Sequence, residues 1–287
     1  MSIRPLSERR VREPHRADFS WSRIVVVESL TAGELKTGTH VFEDVIQPVV
    51  GDGATLACVD TVAQFVAVLD SLASDCLQSK DRPILHIEAH GTTTGLKLVS
   101  GPVVPWSDLV DRLRQINIAS QNNLLVVMSA CYGIRVLIVF TYTPLMAAPV
   151  RAVFGPDQEV SAGDLENGFK RFYKDLLAKK DPSEAAGQLR RDVPAMKFMT
   201  AEQIFARGFN NYLSKYCTRR VLEQRVNYII TAARKSNRRM SANAARKHAR
   251  SRLTSGFEER FEKYKATVLM IDRYPDLASR FADLVLE

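Results

Sequence analysis

The sequence predicts an α/β protein, a parallel-rich sheet flanked by helices and followed by a helical C-terminal region. Short apolar runs alternate with amphipathic helical stretches as far as about residue 195, the pattern of right-handed βαβ units packed on both faces. From about residue 196 the strand-like runs stop and helix follows helix. Charge divides at nearly the same place: residues 207–252 hold thirteen Lys and Arg against one acid, Glu223. That local +12, in a chain of net +8, leaves the remainder at about −4. The expected organisation is a flexible basic leader over 1–20, an α/β domain over 21–195 and a basic helical region over 196–287.

The elements follow in order. Residues 1–20 are polar and basic without periodicity, with no apolar core of a secretory signal. "SRIVVVESL" (22–30) is uniformly apolar and β-branched, a short buried strand. A Gly- and Thr-containing excursion runs to about residue 59. Asp60 is placed to N-cap a helix whose apolar face is Val62, Phe65, Val66, Leu69, Leu72 and Ala73. "PILHIEAHG" (83–91) is the next strand and "GLKLVSG" a short extension or hairpin. "PWSDLVDRLRQINI" starts on Pro105 and is amphipathic through Trp106, Leu109, Val110 and Leu113. "NLLVVMSACYG" and "VRAVFGP" are further strands, and "GDLENGFKRFYKDLLAKK" a helix. Thr200 and Gln203 form a capping box opening the helical region.

At 287 residues and 46% hydrophobic, the chain can bury one large core or two smaller ones. No apolar run reaches a membrane span. The nearest, "IRVLIVFTYTPLMAAPV", is broken by Arg135, Thr141, Thr143 and Pro144 and is expected as a buried strand or helix. Four scattered cysteines with no CxxC pair fit a reducing cytoplasm, so the expected location is cytoplasmic, with no membrane partner.

The chemistry gathers on two strand ends. Alternation puts His86, Glu88 and His90 on one face of the strand and Leu85, Ile87 and Ala89 on the other. That strand ends in His90-Gly91, and "LLVVMSACYG" ends in Cys131-Tyr132-Gly133. In open α/β sheets the working edge is the carboxyl edge, so neighbouring strands would bring imidazole and thiol side by side. A cysteine nucleophile needs a base to hold it as thiolate. The glycines leave amides open to a substrate carbonyl, and the Gly91 and Cys131 N–H groups are the expected oxyanion-hole donors.

An apolar strand ending in His-Gly, and some 40 residues later another ending in Ala-Cys-x-Gly, resembles the caspase-like cysteine peptidases. "LHIEAHG" and "VVMSACYG" are closest to the CHAT and separase-like branch; caspases carry Gln where this chain has Ser129. "VRAVFGPDQEVSAGDLENGFKRFYKDLLAKKDPSEAAGQLRR" continues the resemblance, which covers roughly residues 22–192. It implies a caspase-like fold, a protein-cleaving dyad of His90 and Cys131, a protein substrate, and no required metal or other cofactor. It also implies a regulated protease with a regulatory protein partner, in a prokaryotic stress or antiviral defence pathway. The pocket for the residue before the scissile bond (S1) would be lined by Glu28, Asp164 and Ser129. Asp164 falls where separase-like peptidases carry the acid that pairs with arginine, which predicts cleavage after Arg, with Lys weaker. Asp164 as an N-cap is the competing reading.

Other readings stay open beside these. Glu88 can orient His90 or simply pair with His86 in the sheet, and a metal site of His86, Glu88, His90 and Cys131 is a third possibility. His-Ile-Glu lacks the Pro-Cys-x-x-Cys of zinc deaminases, and "GTTTG" lacks a Walker lysine; both are excluded. Cys58, Cys76 and Cys217 have no partner histidine and read as core or surface residues. The basic segment 207–252 is a solvated helical face, a nucleic-acid surface or the dock of an acidic partner. A catalytically silent caspase-like scaffold and a nucleic-acid-binding adaptor are the rival functions.

Overall fold

The apolar runs pair into one mixed sheet in a computed structural model that describes residues 6–13, 19–137, 146–235, 241–254 and 256–287. The strands are β1 (Arg23–Ser29), β2 (Ala54–Cys58), β3 (Pro83–Gly91), β4 (Gly95–Lys97), β5 (Val104–Pro105), β6 (Leu125–Ser129), β7 (Ala152–Pro156) and β8 (Met196–Thr200). The order is β2-β1-β3-β6-β7-β8. β2, β1, β3, β6 and β7 run parallel, and β8 lies antiparallel to β7. β4 folds back antiparallel on the end of β3 and pairs with β5, which confirms the expected hairpin.

The helices of this part are α1 (Thr37–Val41), a π turn (Phe42–Ile46), α2 (Gln47–Val50), α3 (Val62–Ser79), α4 (Trp106–Ala119), α5 (Ala162–Lys179) and α6 (Pro182–Asp192). From β1 the chain crosses to β2 on one side. From β2 it crosses back past β1 to β3 on the other. Right-handed crossovers therefore put α1–α2 and α3 on opposite faces, with α4 beside α3. On the α1 face, Ile24, Val26, Ile84, Leu125, Val127 and Phe154 form a continuous core with Phe169, Phe172 and Tyr173 of α5. Phe154 stacks on Phe172 with ring centroids 5.2 Å apart, one of several aromatic pairs worth about 0.5–1.5 kcal/mol each beyond their burial.

The chain divides into two compact units, His15–Ala201 and Met1–Pro14 with Glu202–Glu287. The second is helical: α7 (Ala201–Tyr216, whose first residue closes the other unit), α8 (Arg219–Lys235), α9 (Ala242–Thr254) and α10 (Phe257–Val268), followed by a 3-10 turn over Pro275–Phe281.

Four expectations are corrected. Strands do not end at 195: "MKFMT" is β8, its Met196 fully buried and Phe198 packed edge-on to Phe154. The domain boundary moves accordingly from 195 to 201. Residues 1–20 are not uniformly a free leader. Val11 exchanges hydrogen bonds with the Asn210 side chain (2.7 and 2.9 Å) and bridges Leu286, while Arg10 and Glu287 pair backbone to backbone. The excursion 31–59 holds α1, the π turn, α2 and edge strand β2. Lastly, α3 is capped by Thr61, not Asp60; the Thr61 hydroxyl accepts from Gln64 N–H and the Gln64 side chain returns to the Thr61 backbone. Much of the apolar run after Cys131, residues 138–145, lies outside the described residues. Among those that are described, no helix is long and apolar enough to cross a membrane.

Candidate active site

β3 and β6 are parallel neighbours paired Ile84↔Leu125 through Glu88↔Ser129, and His90-Gly91 and Cys131 follow at the same carboxyl edge. The ends touch through their backbones. A Cβ built on Gly91 would lie 1.7 Å from the Cys131 carbonyl oxygen and 2.7 Å from its nitrogen. Only glycine allows that approach. The chain then turns away at Tyr132, which holds a left-handed φ of 59°, and Gly133 N–H closes the turn on the Ala130 carbonyl at 2.9 Å. The Cys131 thiol is half-buried and directed to the Val160 carbonyl, S···O 3.9 Å. Cys131 N–H donates to no acceptor among the described residues.

His90 is exposed at the rim, and its Nε2 meets Glu34 Oε1 at 2.5 Å. Glu34 sits in the loop after β1, so this bond spans the point where the sheet reverses its winding direction, between β1 and β3. Ligands of open α/β sheets bind at such points. The Thr31 hydroxyl and amide, at 2.8 and 2.6 Å, and then His90 hold the Glu34 carboxyl down at about 2. Glu34 therefore stays ionised at any ordinary pH. Sequence reading missed this residue because nothing in "TAGELKTG" sets Glu34 apart. The topological rule would have pointed to it once β1 and β3 were known to be neighbours.

Beneath the rim lies a row of polar side chains in register: Glu28 on β1, Glu88 on β3 and Ser129 on β6. All three are buried. Glu28 is only 1% exposed and committed. Its oxygens accept from the Thr39 amide and hydroxyl, both at 2.9 Å, with Lys36 Nζ at 3.8 Å. It anchors α1 through these bonds, so its carboxylate is already engaged. Gly38 lies across both acids; a Cβ there would come within 3.0 Å of Glu28 Oε2 and 3.1 Å of Glu88 Cβ.

Glu88 does not orient His90. It lies 3.7 Å from Nε2 of His86, whose other ring nitrogen meets the Tyr173 hydroxyl at 3.1 Å. Among the described residues Glu88 has no lysine or arginine within ion-pair distance, and the Ser129 hydroxyl has no hydrogen-bond partner.

Asp164 is exposed in the first turn of α5. Ser161 is the N-cap, accepting from Asp164 N–H at 3.2 Å and donating its hydroxyl to the Asp164 carboxylate at 2.7 Å. Asp164 is thus the third helical residue of a capping pair and not the cap itself. Of the remaining thiols, burial pushes Cys76 up to about 12 and raises Cys217, while Cys58 is exposed at the edge strand. A thiol that resists ionisation makes a poor nucleophile. His86 and His90 are bonded to different partners, and among the described residues no three His, Cys, Asp or Glu are gathered to hold a metal ion. The chain matches no protein-family model and no curated protein.

Proposed function

We propose that the chain is a cysteine endopeptidase whose Cys131 and His90 act as a dyad. The observation that supports the reading is the parallel pairing of β3 with β6 and the close backbone approach of Gly91 to Cys131 at the sheet's carboxyl edge, where His90 and Cys131 both lie. Cys131 Sγ attacks the scissile carbonyl carbon, and His90 takes the thiol proton. The carbonyl electron pair moves to oxygen, where the Gly91 and Cys131 N–H groups hold it. As the C–N bond breaks, His90 returns the proton to the leaving amine and a thioester remains. Water attacks the thioester, its proton passes to His90, and the acid product leaves with the thiol restored.

Glu34 accepts the Nε2 proton of His90 and so leaves Nδ1 as the nitrogen that exchanges a proton with sulfur. Glu34→Gln is expected to lower kcat about tenfold to a hundredfold while KM moves little. A stability check accompanies it. Glu34 is depressed below its unfolded value of 4.5, so its contribution is complete above about 4.5 and is lost as pH falls toward about 2. The gap in unfolding midpoint between wild type and Glu34→Gln should be present at neutral pH and close across that acid window.

The preference for arginine, with lysine weaker, rests here on Glu88 instead of Asp164 or Glu28. Glu88 and Ser129 are buried below the rim, so a substrate side chain must reach down to meet them; among the described residues Glu88 has no lysine or arginine partner and the Ser129 hydroxyl no hydrogen-bond partner. The guanidinium of a substrate would satisfy both. Cleavage of a random peptide library by wild type and Cys131→Ala tests activity and specificity together. Cuts after Arg, lost in Cys131→Ala and weakened by Glu88→Gln but not by Asp164→Ala, are expected. Cuts after Asp or apolar residues would remove the pocket assignment and leave the dyad.

A further inference from the structure

In the helical unit, α8 and α9 pack through Val226, Ile230 and Ala249, with Ala245 and Leu253 partly buried against them. Burying that stripe decides what faces outward. On α9 the outward residues Asn243, Arg246, Lys247 and Arg250 recur at i, i+3, i+4 and i+7 and line one depression in the surface. Arg250 is held in place by two bonds to Glu223, at 2.8 and 2.9 Å. That fixes the guanidinium, and Glu223 is the one acid in the whole stretch 207–252. Arg219 and Arg220 are exposed on α8, as is Tyr228, at 77%.

We infer that this depression binds the phosphodiester backbone of a nucleic-acid strand, through charge and without reading bases. The choice of partner follows from the lining. A protein partner would need an apolar centre to bury, and the depression offers one amide and three cations but no apolar side chain. A phosphate backbone asks only for donors: the fork of Arg246, the ammonium of Lys247 and the Asn243 amide, with Arg250 engaged by Glu223 at the end of the row. Cations one helical turn apart, about 5–6 Å, can meet successive phosphates along a strand.

The test is fluorescence anisotropy of the full-length protein with a labelled single-stranded oligonucleotide across a salt series. Log K should fall linearly with log salt. The double variant Arg246→Ala/Lys247→Ala should bind about tenfold or more weakly, with the slope reduced by about 0.7 per lost phosphate contact, about 1.4 in all. Both residues are exposed, so folding is not at risk. An equal loss of charge elsewhere, Arg190→Ala/Arg191→Ala on exposed positions of α6, should leave binding within about twofold. The inference is overturned by salt-independent or absent binding, by an unchanged Arg246/Lys247 variant, by an equal loss in the α6 variant, or by tighter binding of polyglutamate of matched length. None of these outcomes bears on the dyad.

Discussion

Cys131→Ala and His90→Ala are each expected to abolish peptide cleavage, a loss of roughly 10⁴-fold or more in kcat, with the unfolding midpoint little changed. Both side chains sit at strand ends, His90 exposed and Cys131 half-buried, so neither replacement opens a large cavity. In the proposed mechanism proton transfer and sulfur attack belong to one step. Once the thiol is gone the imidazole has nothing to activate, and the double variant should be no worse than either single one. Additive losses would mean that the two groups work separately, against the proposed mechanism. Steady-state kinetics on one cleavable peptide, with all three variants at matched concentration, makes the comparison.

Gly91→Ala should be nearly as damaging, for a steric reason. The new methyl would lie 1.7 Å from the Cys131 carbonyl oxygen and 2.7 Å from its carbonyl carbon, and backbone cannot swing aside as a side chain can. The ends of β3 and β6 must part, moving the proposed nucleophile and both proposed oxyanion donors at once. A fall in activity of about a thousandfold is expected, since losing one oxyanion donor alone costs about 10²–10³, with about 1–3 kcal/mol of lost stability from overpacking. Gly187→Ala in α6 is the control. Nothing lies within 4 Å of its added methyl, and the helix should gain about 0.5–1 kcal/mol with activity unchanged. An active, stable Gly91→Ala protein would show that the contact between the two strand ends does not matter.

The fold was legible wherever a strand is buried on both faces. β1, β6 and β7 announce themselves as apolar runs, and β3 as an apolar strand with His86, Glu88 and His90 alternating along one face. β2 does not, because an edge strand reading Ala-Thr-Leu-Ala-Cys is partly exposed and carries no continuous apolar signal. β8 was absorbed into the helical region because "MKFMT" is short and directly precedes α7. α1 was missed for its composition: Thr37, Gly38 and Thr39 are weak helix formers, and what holds the turn is the long-range bond of Thr39 to Glu28. The same limit governs the site. His90 and Cys131 stand out in the sequence because each lies at the end of a recognisable strand with a glycine close after it. Glu34 could not, since its meaning comes from a loop brought across the sheet. Asp164 was placed in the pocket by likeness, whereas its local bond to Ser161 turns it to the helix end.

Mass mapping after treatment with an Arg-containing peptide acyloxymethyl ketone is the most direct test of the central claim that Cys131 is an activated nucleophile. The account predicts one adduct, on the Cys131 tryptic peptide, absent from Cys131→Ala and strongly slowed in His90→Ala, with Cys58 unlabelled although it is exposed. Equal labelling of Cys58 and Cys131, or labelling of Cys131 that does not depend on His90, would contradict it.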